Sequence, residues 1–231
     1  MKESRIYFSE ASVQAVAQKM KETGRQYEQL FTDLGRQMFT EMADLHDASE
    51  MMAVCTRHID QALSAFTQYF PHISPVACAR GCCHCCSFPV ECPPQVVIDI
   101  ARHLRSKKSA ANLDMLRCKL AQDMKDRKPP LYRAKCPFLN DEKLCSIYEK
   151  RPLACQCFTS PDSAECLQSV ADGRNISQDP LRHRIYQAAT TMLLACAKKQ
   201  GRAHGQVLFI PALLSILEIE EKNGLWQGYG I

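Results

Sequence analysis

The chain has 231 residues, 46% of them hydrophobic and 23% charged, with 29 Lys and Arg against 25 Asp and Glu. Nine Gly and 12 Pro exclude a collagen-like or low-complexity chain, and the length is ample for a buried core. A net charge of +4 offers no clustered basic face for nucleic acid, and 14 cysteines are the unusual count.

From about Ser12 to Leu45 the residues Val13, Val16, Met20, Tyr27, Leu30, Phe31, Leu34, Met38, Met42 and Leu45 recur at threes and fours. That period predicts an amphipathic helix, with a break expected near Gly35. Asp47 and Glu50 form a capping box for a second helix, which carries Met51, Cys55, Ile59, Leu63, Phe66 and Phe70 and stops before Pro71. The two make a helical hairpin. Gln95–Leu104 and Asn112–Lys125 read as shorter helices, the latter striped by Leu113, Leu116, Leu120 and Met124 and ended by Pro129-Pro130. Asp179-Pro180 is an N-cap followed by Pro at the first turn, opening a helix to Lys199 that Gly201 closes. A last helix is expected from near Pro211 to Asn223-Gly224.

No strand alternation, repeat or glycine-rich phosphate loop is present. The expected fold is mainly α, a helical bundle with an irregular cysteine-rich metal-binding core. Three regions are expected to pack as one unit: a hairpin over residues 1–70, a cysteine-cluster region over 71–170, and C-terminal helices over 171–231.

The opening residues lack an apolar h-region and a cleavage site. The most apolar stretch, Val207 to Leu217, is too short to cross a membrane. The expectation is a cytoplasmic chain, where reducing conditions turn cysteine clusters toward metal or redox chemistry.

Six cysteines lie between Cys78 and Cys92 and five between Cys136 and Cys166. Cys78, Cys82, Cys85 and Cys86 form a C-x3-C-x2-C-C run, and Gly81 relaxes the backbone between them. Asn140-Asp141 supplies a turn that puts Cys136 and Cys145 at the ends of a small loop or hairpin. A metal held by thiolates from both clusters would clamp the two segments and contribute to folding. Arg80, Lys135 and Arg151 could offset thiolate charge, and His84 reads as a bystander. Cys55 and Cys196 sit on apolar helix stripes and read as core, while Cys118 lies off its stripe. The short run Arg102, Arg105, Lys107 and Lys108 reads as a solvated helix end.

Cys78-x3-Cys82-x2-Cys85-Cys86, then Cys136-Pro-Phe-Leu, Cys145-Ser-Ile-Tyr and Arg151-Pro-Leu-x-Cys155, resembles the YkgJ-type cysteine-cluster family, the zinc- or iron-chelating CxxCxxCC domain. The resemblance runs from about Cys78 to Phe158 and implies Cys78, Cys82, Cys85, Cys86, Cys136, Cys145 and Cys155 as metal ligands. The chain departs from the family pattern at Cys83-His84 and at Gln156-Cys157, and Cys92 and Cys166 are extra thiols.

Seven thiols exceed the four of a structural zinc. Two metals, or one [4Fe–4S] cluster with thiols to spare, are the alternatives, and the all-thiolate surplus inclines toward iron–sulfur. Three functions follow: a metal-binding protein; an iron–sulfur enzyme related to the flagellin lysine methylase; or a zinc module for nucleic acid or a protein partner. No nucleophile, base and orienter set stands out, so binding is favoured over catalysis, and the scattered charge disfavours nucleic acid. No client protein is indicated.

Overall fold

The computed structural model describes residues 9–69 and 76–219. Among them are eight α-helices and one two-stranded antiparallel sheet, so the fold is mainly α.

Helix α1 (Glu10–Met42) starts where the Ser9 hydroxyl accepts from the Ser12 amide at 3.1 Å. It runs unbroken through Gly35, against the expected break. Gly35 is buried inside the helix and a Cβ there would meet the Met192 side chain at 3.6 Å, an ordinary contact. The apolar stripe is buried only in the second half of α1, at Phe31, Met38 and Met42. Val13, Val16 and Met20 are 48%, 58% and 69% exposed. Helix α2 (Ala48–Tyr69) is 22 residues against 33, and its Phe66 stacks on Phe31 at 5.9 Å near its end. It is too short to cover the start of α1.

Asp47 caps α2 as expected: its carboxylate accepts from the Ser49 and Glu50 amides at 2.9 and 3.1 Å. The same carboxylate pairs with Arg102 of α3 (Pro94–Lys107). Phe70 and Pro71 lie outside the described residues. Helix α4 (Ala110–Asp126) buries Leu116 and Leu120, but Met124 is exposed.

Two short helices were not expected, α5 (Leu153–Cys157) and α6 (Ser163–Asp172). Helix α7 (Pro180–Lys199) begins at the Asp179 cap and is closed by Gly201 at φ +70°, as read from the sequence. Its Arg184 pairs with Glu28, and Lys199 with Asp44 at 3.0 Å, so α7 runs parallel to α1.

Strands β1 (Glu91–Cys92) and β2 (Val207–Leu208) pair antiparallel and lead into α3 and α8 (Phe209–Glu218). Helix α8 starts two residues before Pro211 and ends earlier than expected; Asn223-Gly224 lies outside the described residues. The cause of the early end is tertiary. Arg105 donates to the Ile216 and Ile219 carbonyls at 2.9 and 3.0 Å, and Arg117 to that of Leu217 at 3.0 Å. Cations at the free carbonyls of a helix C-terminus satisfy both hydrogen bonding and the dipole. Arg105 is therefore a cap, and Arg102 an ion-pair partner, rather than parts of a solvated helix end. The core lies where α2, α3, α7 and α8 meet, around Met51, Ile59, Ile100, Leu104, Ile185, Leu193 and Leu213.

Candidate metal centre

The first cysteine segment is a run of tight turns. The Ala77 amide donates to the Ser160 carbonyl at 2.8 Å, which ties the segment to the approach of α6. Gly81, at φ +86°, takes the left-handed conformation that a Cβ disfavours. A 3₁₀ turn over His84–Ser87 follows, with the Cys86 amide on the Cys83 carbonyl at 3.1 Å and the Phe88 amide on that of Cys85 at 3.1 Å.

The second segment is bonded directly to the first. The Cys136 amide donates to the Cys86 carbonyl at 3.0 Å, and Ala134 to Ser87 at 3.2 Å. From Cys136 the chain makes the expected small hairpin. Leu139 and Cys145 form a bridge, the Leu144 amide donates to the Asn140 side chain at 2.8 Å, and the Ser146 amide to the Phe138 carbonyl at 2.8 Å. The buried Phe138 ring, 5.8 Å from Phe209, anchors the hairpin in the core. The Ile147–Pro152 link is held by Lys150 on Asp99 at 3.0 Å and by Arg151 stacked 4.1 Å over Tyr148. Pro152 starts α5, which carries Cys155 inward; Gln156 donates to the Arg151 carbonyl at 2.8 Å and accepts from the Tyr186 hydroxyl at 3.3 Å.

The electrostatics divide the thiols into an inner and an outer group. In the inner group burial raises the proton affinity of Cys136, Cys145 and Cys155, and neighbouring thiols add to it at Cys136 and Cys155. Cys136 is pushed up to about 11 by burial and then by Cys145 and Asp123. Cys155 is driven up by burial and by Cys136, Cys85, Cys145 and Cys92. Cys145 rises through burial, against the pull of Arg151. The hydrogen bond between Cys86 and Cys85 draws the Cys85 thiol down, and the same bond together with burial holds Cys86 far up. The outer group is Cys78, Cys82 and Cys166. Burial raises Cys82, then the charges of Cys78, Cys85 and Cys83; burial raises Cys166, then Cys78, Cys85 and Cys82.

Crowded thiols that raise one another's proton affinity cannot ionise together without a counter-charge, and a thiophilic cation supplies it. Among the described residues no three His, Cys, Asp or Glu side chains close into a set that would hold a metal ion as they stand. The donor chemistry, thiols in excess, is of the kind that suits zinc or iron.

Cationic support comes from Arg151, beside Cys85 and Cys145, and from Arg127, beside Cys136. Arg127 pairs with the buried Asp123 at 2.7 and 3.0 Å and donates to the Ser87 and Tyr132 carbonyls at 3.1 and 3.0 Å. Arg133 lies 4.1 Å over Phe88, and the buried Nε atoms of Arg133 and Arg151 have no hydrogen-bond partner among the described residues.

The remaining thiols lie apart from the two groups or at their edge. Cys55 is buried with its sulfur 3.4 Å from that of Met42, Cys196 is buried, and Cys118 is exposed. Cys92, on β1, is pushed up to about 12 by burial. Cys157 is buried with its sulfur 3.7 Å from Nδ1 of His183. The sequence leaves open whether Cys166 joins the others; the structure puts it on α6, against the first cysteine turn. The signal for that helix was its start at Asp162, whose carboxylate accepts from the Ala164 and Glu165 amides at 2.7 and 3.3 Å.

Residues 77–178 match the CxxCxxCC family, described as "Putative zinc- or iron-chelating domain". No curated protein and no solved structure matches the chain.

Proposed function

Because residues 77–178 are a domain of the CxxCxxCC family, which is described as chelating zinc or iron, we propose that this chain holds a thiolate-ligated centre with more than one metal atom. The carrying observation is the joining of the cysteine segments, by the Cys136 amide on the Cys86 carbonyl at 3.0 Å and by α6 packed on the first cysteine turn, which supports reading Cys85, Cys86, Cys136, Cys145 and Cys155 as an inner group and Cys78, Cys82 and Cys166 as an outer one. A single structural zinc takes four ligands and would strand half of these thiols beside one another. Two zinc ions would use more of them, whereas a [4Fe–4S] cluster would take four thiolates and leave the others as free thiols; the all-thiolate character of the set suits the cluster. When bound, the metal supplies the positive charge that lets the thiols ionise together. Arg151 and Arg127 would neutralise part of the remaining charge, and the Cys136 hairpin and α5 leave the inner thiols half-buried. The role is chelation in a protein working in a reducing compartment.

The test is elemental analysis and visible absorption of protein purified without oxygen. More than one equivalent of zinc or iron per chain is expected, with a brown, air-bleached sample if iron–sulfur. Cys145→Ser and Cys166→Ser should each lower the content while Cys196→Ser leaves it unchanged. One equivalent of zinc, unaffected by Cys166→Ser, would overturn this reading.

A further inference from the structure

Every residue of α1 from Val13 to Leu30 is exposed, a stretch about 27 Å long at 1.5 Å per residue. Within it Val13, Val16, Met20, Tyr27 and Leu30 are large apolar side chains, 37% to 69% exposed. With Thr23 their positions alternate by three and four, the repeat of a two-helix seam. The shallow groove at its centre is lined by Val16, Lys19, Met20 and Thr23, at i, i+3, i+4 and i+7, the four corners into which a knob from a facing helix inserts. The charged residues lie off the seam: Glu22 pairs with Arg25 at 2.8 Å, and Glu28 with Arg184.

Gly24 is the second observation. A glycine inside a helix costs about 1 kcal/mol relative to Ala, yet a Cβ here would meet nothing within 4 Å, unlike Gly35 against Met192. Packing within the described residues does not require it. A closely approaching second backbone would.

We propose that residues 13–30 pair with the same residues of a second copy of this chain as an antiparallel two-helix coiled coil. The seam is self-complementary about a two-fold axis between Lys21 and Glu22. Val13 then faces the partner's Leu30, Val16 the partner's Tyr27, and Met20 the partner's Thr23, so all five exposed apolar side chains are covered. Ala17 falls opposite the partner's Gly24, small against small, which accounts for the glycine. Lys19 falls opposite the partner's Gln26, so no like charges meet across the interface.

Sedimentation velocity of the full chain under reducing conditions, over a concentration series, reads the association. The expected result is a dimer that Met20→Glu converts to monomer with unchanged circular dichroism, because Met20 is 69% exposed within one protomer. Gln26→Lys places two lysines opposite Lys19 residues and should raise the dissociation constant about fivefold, two symmetry-related repulsions each of exposed-ion-pair strength. Adding Lys19→Glu turns both repulsions into attractions and should restore the dimer. Residues 19 and 26 lie two turns apart on one helix, and a parallel pairing would not bring them together, so the rescue is specific to this arrangement. A monomer at every concentration, a dimer indifferent to Met20→Glu, or a failure of Lys19→Glu to rescue Gln26→Lys would overturn the proposal.

Discussion

Removing the Asp123 carboxylate should destabilise the protein severely, and the geometry says how much. Its side chain is 2% exposed and that of Arg127 13%, joined by two hydrogen bonds of 2.7 and 3.0 Å. Asp123→Ala leaves the guanidinium buried with only the Ser87 and Tyr132 carbonyls as partners. Breaking one side of a buried pair costs about 3–5 kcal/mol, because the surviving charge keeps its desolvation penalty. At roughly 3 °C per kcal/mol for a chain of this size, the melting temperature should fall by about 10 °C. The assay is thermal unfolding by circular dichroism at matched metal content. Asp123→Leu combined with Arg127→Met removes both charges and should recover at least half of the loss. A fall below about 2 °C for Asp123→Ala, or a double variant worse than the single, would refute the reasoning.

Gly35→Ala should be tolerated or mildly stabilising in urea denaturation, since its Cβ meets Met192 at ordinary contact distance and Ala favours the helix by about 1 kcal/mol. Gly35→Leu should instead cost about 1–3 kcal/mol by overpacking. At Gly173 both terms are unfavourable: φ is +77° and a Cβ would lie 2.6 Å from the Leu131 side chain, so Gly173→Ala should lower the unfolding free energy measured in urea by more than about 1 kcal/mol. Burial pushes Cys55 from its ordinary 9.0 up to about 12, so the folded state holds this proton more tightly than the unfolded chain. Its contribution to stability is full below pH 9 and is lost as pH rises from 9 toward 12; Cys55→Ala should flatten the alkaline fall in stability measured over that window. A thiol reagent applied to native protein at pH 8 should modify exposed Cys118 ahead of Cys55.

Local chemistry made some elements legible. Helix α7 is bounded by an Asp-Pro start and a left-handed Gly201, and the start of α2 by Asp47, because caps act within one turn. The Asn140 turn between Cys136 and Cys145 is likewise a contact of neighbours. What was misread or left open depends on distant chain. Helix α8 ends where Arg105 and Arg117, a hundred residues or more earlier, reach its carbonyls. The early part of α1 is bare because α2 is too short to follow it, and Gly35, read as a break, is buried against Met192.

The cysteines divide along the same line. Sequence alone marks a local excess of thiols, separates Cys55 and Cys196 as core residues, and carries the family's order of motifs, since spacing and helical period are properties of a short stretch of chain. Which thiols face one another was decided by the tertiary structure. The Cys136 amide on the Cys86 carbonyl brings the two segments together, and α6, which carries Cys166, packs on the first cysteine turn. Thiols interact through space over a few ångströms, and only the packing of the intervening helices sets those separations.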